Sequence, residues 1–148
     1  MRNEGITLDA EGIWFTASLG GPKKAGQIFH LSHARSNQQI LTLRYEVTDR
    51  SVLSCPDNLA IAPWGDIIMS EDNYVSAPDI STQFVRGMNR SGQVYDILAA
   101  NPDFAGKRGL APEFAGACFS PDGRVLFVNV QAPLNLTIAV TGPWPKRI

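Results

Sequence analysis

Glu4-Gly5-Ile6 followed by Gly12-Ile13-Trp14-Phe15, Asp57-Asn58-Leu59 followed by Gly65-Asp66-Ile67-Ile68, and Gly116-Ala117 followed by Gly123-Arg124-Val125-Leu126 are three copies of one pattern. Each is a short apolar strand and then a strand led by glycine, and in the first two copies an acid stands at the opening. Without gaps, Gly5 falls on Asn58 and Gly116, Gly12 on Gly65 and Gly123, and Pro63 on Pro121, in steps of 53 and 58 residues. Four-stranded propeller blades run about 40 to 50 residues, so these steps suit blades with one longer loop each. Helical and leucine-rich repeats have shorter periods, and these strands are rich in β-branched and aromatic residues.

Turn residues divide the units further. The first predicts strands over 5–8, 13–17, 27–31 and 40–47, broken by the Gly20-Gly21-Pro22 turn and the polar stretch 36–39. In the second, strands are expected over 59–62, 66–70, 83–88 and 93–99, the last two joined by Asn89-Arg90-Ser91-Gly92. The third gives 117–120, 125–130 and 136–140 around Pro121-Asp122-Gly123, one strand short. No segment holds apolar residues at a 3.6 spacing, so little helix is expected. The fold class is all-β: about three four-stranded antiparallel blades of a β-propeller in a single partial domain over 1–148, with blades near 4–47, 57–99 and 113–148. A closed propeller needs at least about four blades, so the reading is a fragment of a larger one.

With 148 residues, 44% hydrophobic and 18% charged, the chain can bury one core. A net charge of -1 gives no electrostatic case for nucleic acid or an anionic membrane. There is no apolar run of about 18 residues, and Met1-Arg2 enters the first unit directly with no leader pattern. The two cysteines, Cys55 and Cys118, lie near the first strands of their units and read as small buried residues. His30 and His33 stand at a spacing that puts them on opposite faces of a strand, which argues against a shared metal.

The acids carry the chemistry. In a propeller the first strand of each blade lines the central channel. Glu4 and Asp57 open such strands in the same register, and Glu113 precedes the third by three residues before Gly116. Carboxylates gathered on one axis repel unless a cation neutralises them, and hard oxygen ligands suit calcium, magnesium or iron. Asn58 can add a carbonyl oxygen, Glu71 and Asp72 end a second strand with two more acids, and Arg2 stands on the same side of an extended strand as Glu4. The plain alternatives are turn formation by Asp57-Asn58 and solvation of Glu71 and Asp72 in a loop. There is no G-x-S-x-G nucleophile turn and no phosphate-binding G-x-x-x-x-G-K loop.

Glu4-Gly5-Ile6, Gly26-Gln27-Ile28-Phe29, Pro56-Asp57-Asn58-Leu59, Ser70-Glu71-Asp72, and above all the block 113–131 (EFAGACFSPDGRVLFVNVQ) with Thr141-Gly142-Pro143-Trp144 resemble the C-terminal part of the PhoX-type alkaline phosphatases. The resemblance implies a calcium- and iron-dependent phosphomonoesterase with a propeller fold, exported to the periplasm by the twin-arginine route. It makes Glu4 a metal ligand, Arg2 a phosphate contact and Asp57 and Glu113 further ligands, with Glu71 and Asp72 as additional candidates. No residue is assigned as catalytic. The family pattern upstream of Arg2, including an iron-bound cysteine, is absent, so the isolated chain is expected to be weakly active or inactive. Its expected partners are a phosphate monoester and either the missing N-terminal part or a second copy. Two other readings are a non-catalytic propeller binding domain and a calcium-dependent lactonase-like propeller; the Gly142-Pro143-Trp144 ending favours the phosphatases.

Overall fold

The computed structural model describes residues 2–33, 38–73, 82–101, 103, 112–131 and 133–145. The polar stretch 36–39 lies partly outside these. Three antiparallel sheets follow one another in chain order. The first blade is β1 (Asn3–Leu8), β2 (Gly12–Ala17), β3 (Gln27–Ser32) and β4 (Leu41–Glu46). The second is β5 (Pro56–Ile61), β6 (Ile67–Glu71), β7 (Phe84–Met88) and β8 (Val94–Ala99). The third is β9 (Phe114–Phe119), β10 (Val125–Val130) and β11 (Leu136–Thr141), three strands among the described residues, as expected. Among the described residues there is no α-helix, and the blades form an open stack.

Two cores join the blades. Between the first and second, Trp14 and Ile28 pack with Leu59, Ile67, Met69 and Met88. Between the second and third, Ala60, Ile68 and Val85 pack with Phe114, Leu126 and Val128. A second-blade strand buried on both faces cannot alternate apolar with polar, which is why β6 reads Ile-Ile-Met without a break. The Gly142-Pro143-Trp144 ending belongs to the second core. Trp144 stacks on Trp64 at 5.7 Å and meets Phe119 edge-on, while its Nε1 donates to the Arg124 carbonyl at 2.8 Å. A Cβ on Gly142 would lie 2.6 Å from the Trp144 ring, so a side chain there would have to displace that ring.

The inner strands start earlier than the sequence suggests, because each continues through a bulge. Asn3 pairs with Ala17 and Ile6 with Phe15, so Glu4 and Gly5 share one step of the partner strand. Pro56 pairs with Glu71 and Leu59 with Met69, which leaves Asp57 and Asn58 in the same position. Ala115 pairs with Asn129 and Cys118 with Phe127, and the third bulge falls at Gly116 and Ala117. Glu4 and Asp57 therefore sit inside strands rather than ahead of them, whereas Glu113 immediately precedes β9. A bulge bends its strand and re-aims the side chains it carries, so this irregularity turns Asp57 out of the sheet register. Gly116 takes a φ of 61°, where a side chain is strained.

The ungapped register also shifts by one residue. Leu8 pairs with Ile13, Ile61 with Ile67 and Phe119 with Leu126, so each successive hairpin is one residue longer. In space Trp14 corresponds to Ile68 and Phe127, not to Ile67.

Candidate metal centre

The three innermost strands β1, β5 and β9 lie side by side, and their bulged ends are tied together. The Thr16 hydroxyl donates to the Asp57 carbonyl at 2.9 Å and accepts from the Gly5 N–H at 3.0 Å. The Asn58 side-chain oxygen accepts from the Gly116 N–H at 2.7 Å, joining the second blade to the third. The backbones approach so closely that a Cβ on Gly5 would lie 2.1 Å from the Asp57 carbonyl oxygen.

Asp57, Asp72 and Glu113 meet at these ends, each offering one carboxylate oxygen, all within 4.8 Å of one another. Asp57 comes from the β5 bulge. It follows Cys55, whose φ of 46° turns the chain into the strand and whose N–H donates to the Ala25 carbonyl at 2.7 Å. Ser18 donates to its Oδ1 at 3.2 Å. Asp72 lies just past β6, its N–H bonded to the Cys55 carbonyl at 3.1 Å. Glu113 stands just ahead of β9 and is held twice by Gln131: the Gln131 N–H donates to its carbonyl at 2.9 Å and the Gln131 amide to its Oε1 at 2.8 Å.

Arg2 closes one side. Its Nε pairs with Glu4 and its NH1 donates to Asp72 Oδ2 at 2.8 Å, while the Arg2 carbonyl accepts from the Ser18 N–H. One guanidinium does not balance four acids. Burial first, then the charges of Asp72 and Asp57, push the Glu113 carboxyl up to about 7. Burial, with Glu4 and Asp72 nearby, also raises Asp57. Such a group resists losing its last protons until a cation arrives, and its oxygens then suit a hard metal ion.

Of the residues proposed from sequence, Asp57, Asp72 and Glu113 come together, and Glu4 and Arg2 flank them. Glu71 goes elsewhere. Successive strand residues point to opposite faces, and Glu71 is buried on the Arg86 Nε at 2.8 Å while accepting from the Ser54 and Phe84 N–H groups. Asn58 spends its carbonyl oxygen on Gly116. Ser18 and Gln131 were not singled out beforehand; Gln131 closes the family-like block that begins at Glu113, which was the available signal. His30 is buried against Trp14, with ring centroids 4.4 Å apart, and His33 is exposed. Cys55 is buried as expected, with Arg50 donating to its sulfur at 3.3 Å, whereas Cys118 is exposed.

A family model described as alkaline phosphatase PhoX matches residues 17–134. The matched span contains all three clustered carboxylates and leaves out Arg2 and Glu4. Comparison with curated proteins and with solved structures returns no match. The match spans well over half of the chain: the chain belongs to the PhoX alkaline phosphatase family.

Proposed function

We propose that Asp57, Asp72 and Glu113 hold metal ions in a phosphomonoester hydrolase of the alkaline phosphatase type, with Glu4 as a rim ligand and Arg2 as the phosphate contact. The observation that carries this is the approach of three carboxylates within 4.8 Å beside an arginine, with Glu113 raised to about 7. Calcium and iron fit the all-carboxylate donor set, as both accept hard oxygen ligands. Bound there, such ions would neutralise phosphoryl oxygens and lower the pKa of an attacking oxygen.

The chain's own residues perform the positioning. Thr16, Ser18 and Asn58 fix the Asp57 bulge, and Gln131 orients Glu113. A guanidinium carries five N–H donors, more than two carboxylate contacts consume, so Arg2 can also reach a phosphate oxygen. Calcium takes about six to eight oxygens, and three clustered carboxylates supply only part of that shell. The isolated chain is therefore expected to bind metal and to hydrolyse phosphate esters weakly or not at all.

Titration of the purified chain with calcium and ferric iron, followed by turnover of p-nitrophenyl phosphate and of a lactone, tests this. Metal binding that is lost in Asp57→Asn and Glu113→Gln supports the site. Unchanged metal content in both variants would remove it, robust phosphatase turnover by the lone chain would overturn the incomplete-shell reading, and lactone turnover would redirect the substrate class.

A further inference from the structure

Each inner-strand bulge sets two residues against one on the strand beside it. Glu4 and Gly5 stand opposite Thr16, Asp57 and Asn58 opposite Ser70, and Gly116 and Ala117 opposite Val128. The three facing residues are structural equivalents, and each is 0% exposed. Their hydrogen bonding differs. The Thr16 hydroxyl ties its own bulge to the next blade, through the Gly5 N–H and the Asp57 carbonyl. Val128 has no polar group to satisfy. Between the second and third blades the tie is made by Asn58 on the Gly116 N–H, and the Ser70 hydroxyl has no hydrogen-bond partner among the described residues. Buried hydroxyls are nearly always bonded, and an unpaired one costs the fold stability that alanine would not.

The place of Ser70 in the sheet points to a duty outside the fold. Side chains alternate along β6 and the residue that follows it, so Ser70 shares a face with Ile68 before it and Asp72 after it. Ile68 packs in the core with Phe114 of the third blade, and Asp72 meets Asp57 and Glu113. Ser70 thus stands where the apolar core gives way to the carboxylates, with the Asp57 bulge directly opposite. Two other buried side-chain atoms without a partner lie elsewhere. Asn73 belongs to the Glu71 side of the strand, and His30 Nε2 lies near Gly12 at the far end of the first blade.

We propose that Ser70 is a positioning residue of the carboxylate centre, whose hydroxyl turns toward the cluster when a cation binds and donates to an oxygen of the cation's shell. The proposal rests on the metal reading above and adds a residue which that reading does not contain. A serine hydroxyl rotates to suit its partner and can both donate and accept. Three clustered carboxylates fall short of the about six to eight oxygens that calcium takes, so further oxygens must enter, and those on the buried side need a protein group to hold them. Ser18 already serves Asp57 Oδ1 and Gln131 serves Glu113. Ser70 is the buried donor left over on this face.

The test sets stability against affinity. Without metal, Ser70→Ala removes an unpaired buried hydroxyl, and its urea midpoint is expected to equal or exceed that of the wild type. Calorimetric titration of the same purified full chain with calcium is expected to show affinity lowered about tenfold or more, as for residues that orient a metal's ligands. Ser70→Thr, which restores the hydroxyl in the form found at Thr16, should recover most of that affinity. Circular dichroism checks the strands, and Ser70→Cys replaces Ser70→Ala if they are lost. A lower metal-free midpoint in Ser70→Ala would show that the hydroxyl serves the fold, and unchanged calcium affinity would show that it does nothing at the centre. Either result overturns the proposal and leaves the carboxylate centre standing, as does a folded Ser70→Thr that binds as weakly as Ser70→Ala. A wild type that binds no calcium removes the centre and the proposal together.

Discussion

Asn58 in the second blade accepts a hydrogen bond from the backbone N–H of Gly116 in the third, at 2.7 Å, and so couples the bulge carrying Asp57 to the strand that follows Glu113. The same side chain sits beside Asp57, with its Nδ2 3.5 Å from Oδ2. Removing it breaks a bond at an exposed position where water can take its place, so the loss is that of an ordinary hydrogen bond, about 0.5–1.5 kcal/mol. Asn58→Ala is expected to lower the urea midpoint and to weaken calcium binding together. Asn58→Asp keeps an acceptor but adds a carboxylate beside Asp57, so it should lose stability without metal and regain it with calcium, which equilibrium unfolding and calorimetric titration on the same samples would separate.

Gly5 faces a backbone atom that cannot move aside. A Cβ there would sit 2.1 Å from the Asp57 carbonyl, so Gly5→Ala must part β1 from β5. The expected result is a loss of about 1–3 kcal/mol, in the range for overpacked sites, together with weaker metal binding. A melting temperature equal to wild type would show that the strands are not held this close.

Stability should fall as pH rises when no metal is present. Glu113 and Asp57 both have carboxyls raised in the folded state, so the folded chain holds more protons than the unfolded chain above the ordinary carboxylate range. Linkage then makes the folded state lose stability with increasing pH, between about 4.5 and about 7 for Glu113. Added calcium should flatten or reverse that slope, and Glu113→Gln should reduce it. Urea midpoints at pH 5 and pH 7.5, with and without calcium, provide the measurement.

Glu71 and Asp72 are neighbours in sequence with separate duties. Asp72→Asn is expected to weaken calcium binding at least tenfold, which corresponds to about 1.4 kcal/mol. Glu71→Gln should leave binding near wild type and destabilise the fold instead. Arg86→Met should cost about 3–5 kcal/mol, since it strands a buried carboxylate, and Glu71→Met with Arg86→Met should recover part of that loss. Titration and denaturation of the same four proteins distinguish the two residues.

The blades are legible because apolar strands between Gly- and Asn-rich turns leave few other folds, and the three strands of the third unit can be counted from its turns. Asp57 is legible as a candidate because it stands where Glu4 stands in the first unit, and Glu113 because it precedes Gly116 by three residues at the third inner strand. Asp72 and Glu71 could not be told apart, since adjacent acids at a strand end differ only in which face they meet, and the pairing of Pro56 with Glu71 decides that. The bulges themselves left no mark that an ungapped alignment could detect. The lengthening hairpins hid the phase as well, placing Trp14 against Ile67 when the sheets place it against Ile68.

A strand whose side chains alternate can serve only two surfaces, yet β5 must serve three: the first blade, the third blade and the carboxylate cluster. The extra residue at 57–58 supplies the third, and the bulges at 4–5 and 116–117 repeat the device. Deleting a single residue there would do more than straighten a kink: it would swap inward and lateral side chains along one flank of the strand, driving a carboxylate between blades. Length changes at those three points thus re-aim a whole strand, whereas one in the exposed turn at 90–91 would disturb only local contacts such as the Arg90 pairs with Asp9 and Glu11.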